Sequence, residues 1–144
     1  MNISAPCEAR SRNDASSGAP EPGQWSIKKE IGHLIDLEPL WLERARQIMR
    51  GEADLLKADL TNRKTHDTDH DRHEASDLIA RFETEREKLV DLLRSAGDAD
   101  LVKAAVHPRL GTPMKLVDLA YFVAEHDDHH LAQISFLKSK QVVR

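Results

Sequence analysis

The chain has 144 residues, about what one domain with a real core needs and too few for two. Aromatics make up 4% and charged residues 32%, a balance that favours amphipathic helices over a sheet, because the β-branched and aromatic runs that strands need are missing. The net charge of −4, with no basic patch interleaved with stacking aromatics, argues against nucleic acid as a partner, and no run approaches the roughly 20 apolar residues of a membrane span.

Residues 1–24 carry Pro6, Pro20, Pro22, Gly18 and Gly23 among polar side chains, and read as a disordered or loosely ordered segment ahead of a domain over 25–144. They lack the uninterrupted apolar region of a secretory signal, so a cytoplasmic protein is expected. Cys7, the one cysteine, lies in this segment and has no partner for an internal disulfide.

The first convincing element starts at Gln24-Trp25-Ser26-Ile27, where Ser26 can cap, and runs to about Arg50, where Gly51 can terminate it. Ile27, Ile31, Leu34, Ile35, Trp41, Leu42, Ala45 and Ile48 follow the helical period. Pro39 removes a donor to the carbonyl of Ile35 and should kink the axis there, which would re-aim His33 if the bend is more than a tolerated one. His33 itself lies about 110° from the centre of the apolar stripe, at its margin.

After a long polar connection come His66, His70 and His73, interleaved with Asp67, Asp69 and Asp71. No apolar stripe surrounds them, so a solvated connection and first helical turn is expected rather than a metal site. A helix over about 71–96 follows, with Leu78, Ile79, Phe82, Leu89, Leu92 and Leu93 on one side and Gly97 at its end. Residues 98–111 read as a connection with a short turn at 101–106.

The last helix is expected to start at Thr112-Pro113, Thr112 capping and Pro113 taking the first position, and to run to about residue 138. Leu116, Leu119, Val123, Ile134 and Leu137 share its buried face, and His126 and His130 fall in the same stripe, with His129 roughly 100° away and Asp128 pointing elsewhere. Two imidazoles one turn apart in an apolar stripe are costly to bury unless something satisfies their ring nitrogens, and a divalent metal can do that for both. There is no Gly-rich phosphate loop, Ser-His-Asp set or CxxC.

Three segments together resemble the DinB/YfiT-like superfamily. They are residues 23–38 with Trp25-Ser26, Glu30-Ile31, His33-Leu34, Asp36 and Glu38; then Gly111-Thr112-Pro113 followed by Leu119; and last Glu125 to Ile134, with His126, His130, Gln133 and Ile134. The resemblance covers about residues 23–138. It implies an all-α, four-helix type bundle with long crossover connections and a three-histidine site for a divalent metal, nickel or zinc, with ligands His33, His126 and His130. Three neutral imidazoles leave a coordination position open, as in catalytic rather than structural sites. The chemistry it implies is metal-dependent transfer of a low-molecular-weight thiol, such as bacillithiol or mycothiol, to an electrophilic small molecule. An alternative of another class is a non-catalytic bundle that dimerises and uses metal, if at all, for stability. Asp36 and Asp127 are placed to orient the ligand imidazoles.

The stretch before Trp25 does not read as the first helix that such a bundle has, so that helix is missing or degenerate. The three striped helices then leave a bundle face open, and a homodimer packed through it is expected.

Overall fold

A computed structural model describes residues 21–142. The expectations placed on residues 1–20, including Cys7 and the missing first helix, lie outside the described residues. Three long helices carry the fold: α1, Ile27–Arg50; α3, Ala75–Arg94; and α5, Leu116–Val142. Between them lie a short α2, Arg63–Asp67, a 3-10 turn at His70–Arg72, α4 at Asp98–Leu101, and the strands β1, Ala105–Val106, and β2, Pro113–Met114.

The ends of α1 follow local chemistry. Ser26 Oγ accepts from the backbone N–H of Lys29 at 3.0 Å, and Gly51 closes the helix in the left-handed region at φ 74°, its N–H reaching back to Gln47 and Ile48. Pro39 lies exposed, and the helix is continuous through it. One core joins Trp41, Ala45 and Ile48 of α1 to Leu89 of α3 and to Leu116, Leu119 and Val123 of α5, with Leu55, Ala105 and Met114 brought in by the connections. A second, nearer the start of α1, joins Ile31 and Ile35 to Leu78, flanked by Phe82 and Ile134. The stripes read from the sequence are therefore the buried ones, except at Ile79 of α3, which is 47% exposed.

Charge crosses the same seam. Arg86 of α3 donates to both oxygens of Glu38, which is 1% exposed, and to both oxygens of Asp127 on α5. Burial pushes the Glu38 carboxyl up, and the Arg86 guanidinium opposes that rise. A guanidinium serving two carboxylates on two helices fixes how α1, α3 and α5 are turned toward one another.

Two boundaries differ from the sequence reading. α3 begins at Ala75 rather than near residue 71, and ends at Arg94, Gly97 instead preceding α4. Thr112-Pro113 does not start α5. Pro113 and Met114 pair antiparallel with Val106 and Ala105, while Val106 also exchanges hydrogen bonds with the backbone of Ala53 and Leu55. This pairing holds the chain extended until Lys115, whose N–H is capped by the Asp118 carboxylate at 2.9 Å. The fold is still helical, and no helix among the described residues is long and apolar enough to cross a membrane.

The 66/70/73 histidines also divide. His66 is exposed, but His70 is 2% exposed and its ring packs on Gly32 of α1, where an added Cβ would lie 2.2–2.4 Å from ring atoms. The solvated-cluster expectation therefore fails at His70, because the connection folds back onto the glycine gap in α1. Gly32→Ala is expected to destabilise the protein by about 1–3 kcal/mol, the usual cost of overpacking. His70→Ala in the Gly32→Ala background should recover part of that loss. Thermal melts in which Gly32→Ala matches the wild type would show that the gap is not needed.

Candidate metal centre

α1 turns one stripe, Glu30, His33, Leu37, Trp41 and Arg44, into a cavity of about 840 Å³, and α5 lines the facing wall with Phe122, His126, His129, His130 and Gln133. Spacings of three and four residues keep each set on a single helix face. His33, His126 and His130 each offer a ring nitrogen to one point, the three nitrogens lying within 4.8 Å of one another. His33 is 3% exposed and His130 8%, so the marginal position of His33 in its stripe does not leave it in water. What moves it inward is the connection after Asn62, whose Thr65 and His70 cover that side of α1.

The partners of the outer nitrogens fix the tautomers. Thr65 gives its one hydroxyl proton to Asp36 Oδ2 at 2.9 Å, so its oxygen accepts from His33 Nδ1–H at 3.0 Å and Nε2 of His33 keeps the lone pair. His70 Nε2 adds a second donor to the same Asp36 oxygen at 2.9 Å. His130 Nδ1 donates to Glu30 Oε2 at 2.6 Å, a short bond to a carboxylate that is 6% exposed. Nε2 of His130 is thereby also free to ligate. A carboxylate behind each of two imidazoles raises their basicity as ligands and locks their rings. His126 has no such partner: its Nδ1 is buried and makes no hydrogen bond among the described residues. Its ring is held by packing, 5.4 Å from Trp41 and 4.6 Å from His130 between centroids. Trp25 closes the other side, stacked on His130 with the planes 10° apart.

Burial, then the neighbouring His130 and His126, lowers the pKa of His33 from 6.5 to about 4, and burial followed by His130 does the same for His126. Both rings are therefore neutral at pH 7, the form that binds metal. An all-nitrogen set converging on one point suits a borderline divalent transition-metal ion better than the hard cations that need oxygen.

Of the residues singled out in the sequence, His33, His126 and His130 come together, and Asp36 acts on His33 through Thr65. Asp127 does not orient an imidazole; both of its oxygens take Arg86, because its place on α5 faces α3. Glu30 and Thr65 were not found by sequence reasoning. The signal for Glu30 was its position three residues before His33 on the same face; for Thr65, which is distant in sequence, there was none.

The sequence model described as the DinB superfamily matches residues 13–134. A Bacillus licheniformis protein named as a candidate metal-dependent hydrolase is 27% identical over 119 residues, covering 78% of this chain and 64% of the relative. The chain thus spans less than two thirds of that relative's length. Among solved structures, YfiT of Bacillus subtilis, described as a candidate metal-dependent hydrolase with an unusual four-helix bundle topology, superposes with a TM-score of 0.70 at 18% identity, over 87% of this chain and 72% of that one. That likeness shows the fold.

The lowered histidines set a pH window for the chelated protein. Above about 6.5 neither the folded nor the unfolded chain protonates them; below it the unfolded chain takes up protons that the folded one excludes, so stability falls with pH until about 4. Chelated wild type should lose melting temperature through that window more steeply than a His33→Gln, His126→Gln variant. Parallel profiles would mean that the two rings are not held neutral by the fold.

Proposed function

Since the chain belongs to the DinB superfamily, we propose that it is a metal-dependent enzyme in which His33, His126 and His130 hold one divalent ion, nickel or zinc, and a low-molecular-weight thiol is transferred to an electrophilic small molecule. The observation that carries this reading is the convergence of three imidazole nitrogens at the wall of a cavity large enough for two organic reactants. A divalent ion held there supplies a Lewis acid that favours the deprotonated form of a thiol or water nucleophile at neutral pH. The chain's own residues do the rest. Glu30 and the Thr65–Asp36 pair keep the ligand nitrogens aimed inward. Trp25, Trp41 and Phe122 give the cavity apolar surface that excludes bulk water and strengthens polar contacts inside it. Hydrolysis, with water as the nucleophile, is the second reading, and the description of the Bacillus relatives supports it.

Metal analysis of the purified wild type beside His126→Ala, His130→Ala tests the site, with about one ion per chain expected in the first and little in the second. Equal contents would remove it. Incubating the loaded protein with an activated halide or ester, with and without a panel of small thiols, then separates the two reactions by product mass. A thioether adduct supports transfer, and thiol-independent release of the alcohol or acid supports hydrolysis. Glu30→Gln should cut either rate by about 10–100-fold, the usual effect of losing an outer partner of a metal ligand.

We further propose that the protein works as a homodimer. Val117, Tyr121 and Leu131, at least half exposed, fall within about 80° of one another on α5, so a second copy could cover them together. Sedimentation should show a dimer at tens of micromolar, converted to monomer by Tyr121→Glu, Leu131→Glu. A monomeric wild type at that concentration would exclude it.

A further inference from the structure

Farther along α1 the same cavity changes character. Arg44 stands eleven residues beyond His33, about 16 Å of helical rise, and shares the wall with His107, Arg109 and Lys57. Arg44 is 1% exposed, and its Nε donates to the Leu56 carbonyl at 2.9 Å. Its Nη1 lies 3.2 Å from His107 Nε2. No carboxylate among the described residues pairs with it. Of the two carboxylates in the cavity wall, Glu30 is taken by His130, and Asp59 accepts from the N–H and hydroxyl of Thr61 and from the N–H of Arg63. A buried guanidinium without a counter-ion is among the more costly things a protein can hold.

The His107 ring sharpens the point. Its Nδ1 accepts the backbone N–H groups of Arg109 and Leu110, each at 3.2 Å, across the turn that joins β1 to β2. A neutral imidazole that accepts at Nδ1 carries its proton on Nε2. Burial, then Arg44 and Arg109, keeps that ring's pKa below the ordinary value. The contact between Nη1 and Nε2 therefore brings two donors together with no acceptor between them. Trp41 Nε1, a donor only, is also buried and unpaired among the described residues. The Trp41 ring lies between the two ends of the cavity, 5.6 Å from Arg44 Cζ and 5.4 Å from the His126 ring. The orphaned donors on Arg44 and His107 share one need, an anionic oxygen.

We propose that Arg44 and His107, with Arg109 and Lys57 at the rim, form an oxyanion subsite that anchors a carboxylate or phosphate of the substrate. The substrate class is thus an anionic small molecule, with its reactive end directed along Trp41 to the three imidazoles. Only that last placement rests on the proposed metal-dependent reading; the subsite stands on its own donors.

Calorimetric titration with succinate, inorganic phosphate and neutral succinamide, on chelated and on metal-loaded full-length protein, tests it. At least one of the two anions should bind both forms, naming the headgroup, and succinamide should bind at least tenfold more weakly. Arg44→Met should weaken anion binding at least tenfold, leave the metal content unchanged, and melt no lower than wild type because an uncompensated buried charge is gone. Undiminished binding by Arg44→Met would overturn the subsite, and so would binding confined to metal-loaded protein, which would put the anion on the metal. Should Arg44→Met fail to fold, the wild type still decides: the Trp41 indole N–H resonance, assigned in Trp25→Phe, must move on anion titration, and an unmoved resonance would overturn the proposal. Equal metal content in wild type and in His126→Ala, His130→Ala, with anion binding retained, would sink the metal reading alone.

Discussion

Drawing imidazoles out of water into the seam between two helices is costly unless their ring nitrogens find partners, and for His33 and His130 the described structure is arranged around that requirement. Glu30 sits one turn before His33 on α1 and reaches across to His130 of α5, so a single carboxylate both ties the two helices and fixes a ligand tautomer. The connection between α1 and α3 serves the other ring. It carries Thr65 to His33 and His70 to Asp36, and it is long because it must cross the face of α1 to deliver them. Gly32 provides the gap in α1 that lets His70 come close enough. A connection of this length without such contacts would cost order and return nothing.

The Glu38–Arg86–Asp127 group has a different role in the same seam. It lies one residue from His126 and joins all three long helices, yet it faces α3 rather than the cavity. Buried ion groups of this kind add little net stability compared with apolar packing, but they do not tolerate a turn of one helix about its axis, since a partner lost in the interior costs several kcal/mol. His126 has no hydrogen bond on Nδ1 to hold its ring, so the setting of α5 at the adjacent Asp127 is what places it. The orientation of one ligand thus depends on polar contacts made by its neighbour.

Much of this was legible in the sequence, where the signal is local. Ser26 and Gly51 mark the ends of α1 through bonds within a few residues, and the apolar stripes of α1 and α5 are periodic over many turns. His126 and His130 could be picked out because they lie in register with Val123 and Ile134, whereas His33, at the margin of its stripe, needed the resemblance. What was not legible depends on distant chain. Thr112-Pro113 has the chemistry of a helix start and becomes a strand because residues 53–55 and 105–106 offer it backbone partners. His70 has no apolar neighbours in sequence, and its burial comes from Gly32, 38 positions earlier. Two signals were present and unread. A glycine inside α1 marks a close approach, and Arg44, between Trp41 and Ile48 in the helical period, is a charge in an apolar stripe.

The two polar ends of the cavity are opposite in kind. At the imidazole end, carboxylates outnumber free cations: Glu30 and Asp36 stand behind the rings, so the ligand nitrogens meet a cation with their negative ends forward. At the Arg44 end the carboxylates are absent or engaged, and the donors Arg44 and His107 wait on an acceptor. Between them lie Leu37, Leu40, Trp41 and Phe122, which solvate neither charge. A wall that is electron-rich at one end, donor-rich at the other and apolar between is not symmetric for a bound molecule. On the proposed subsite it favours the pose that sets a ligand's anionic terminus at Arg44, since the reverse pose would leave that guanidinium buried without a partner. Positioning of this kind comes from fixed groups alone, before any lid or loop has to move.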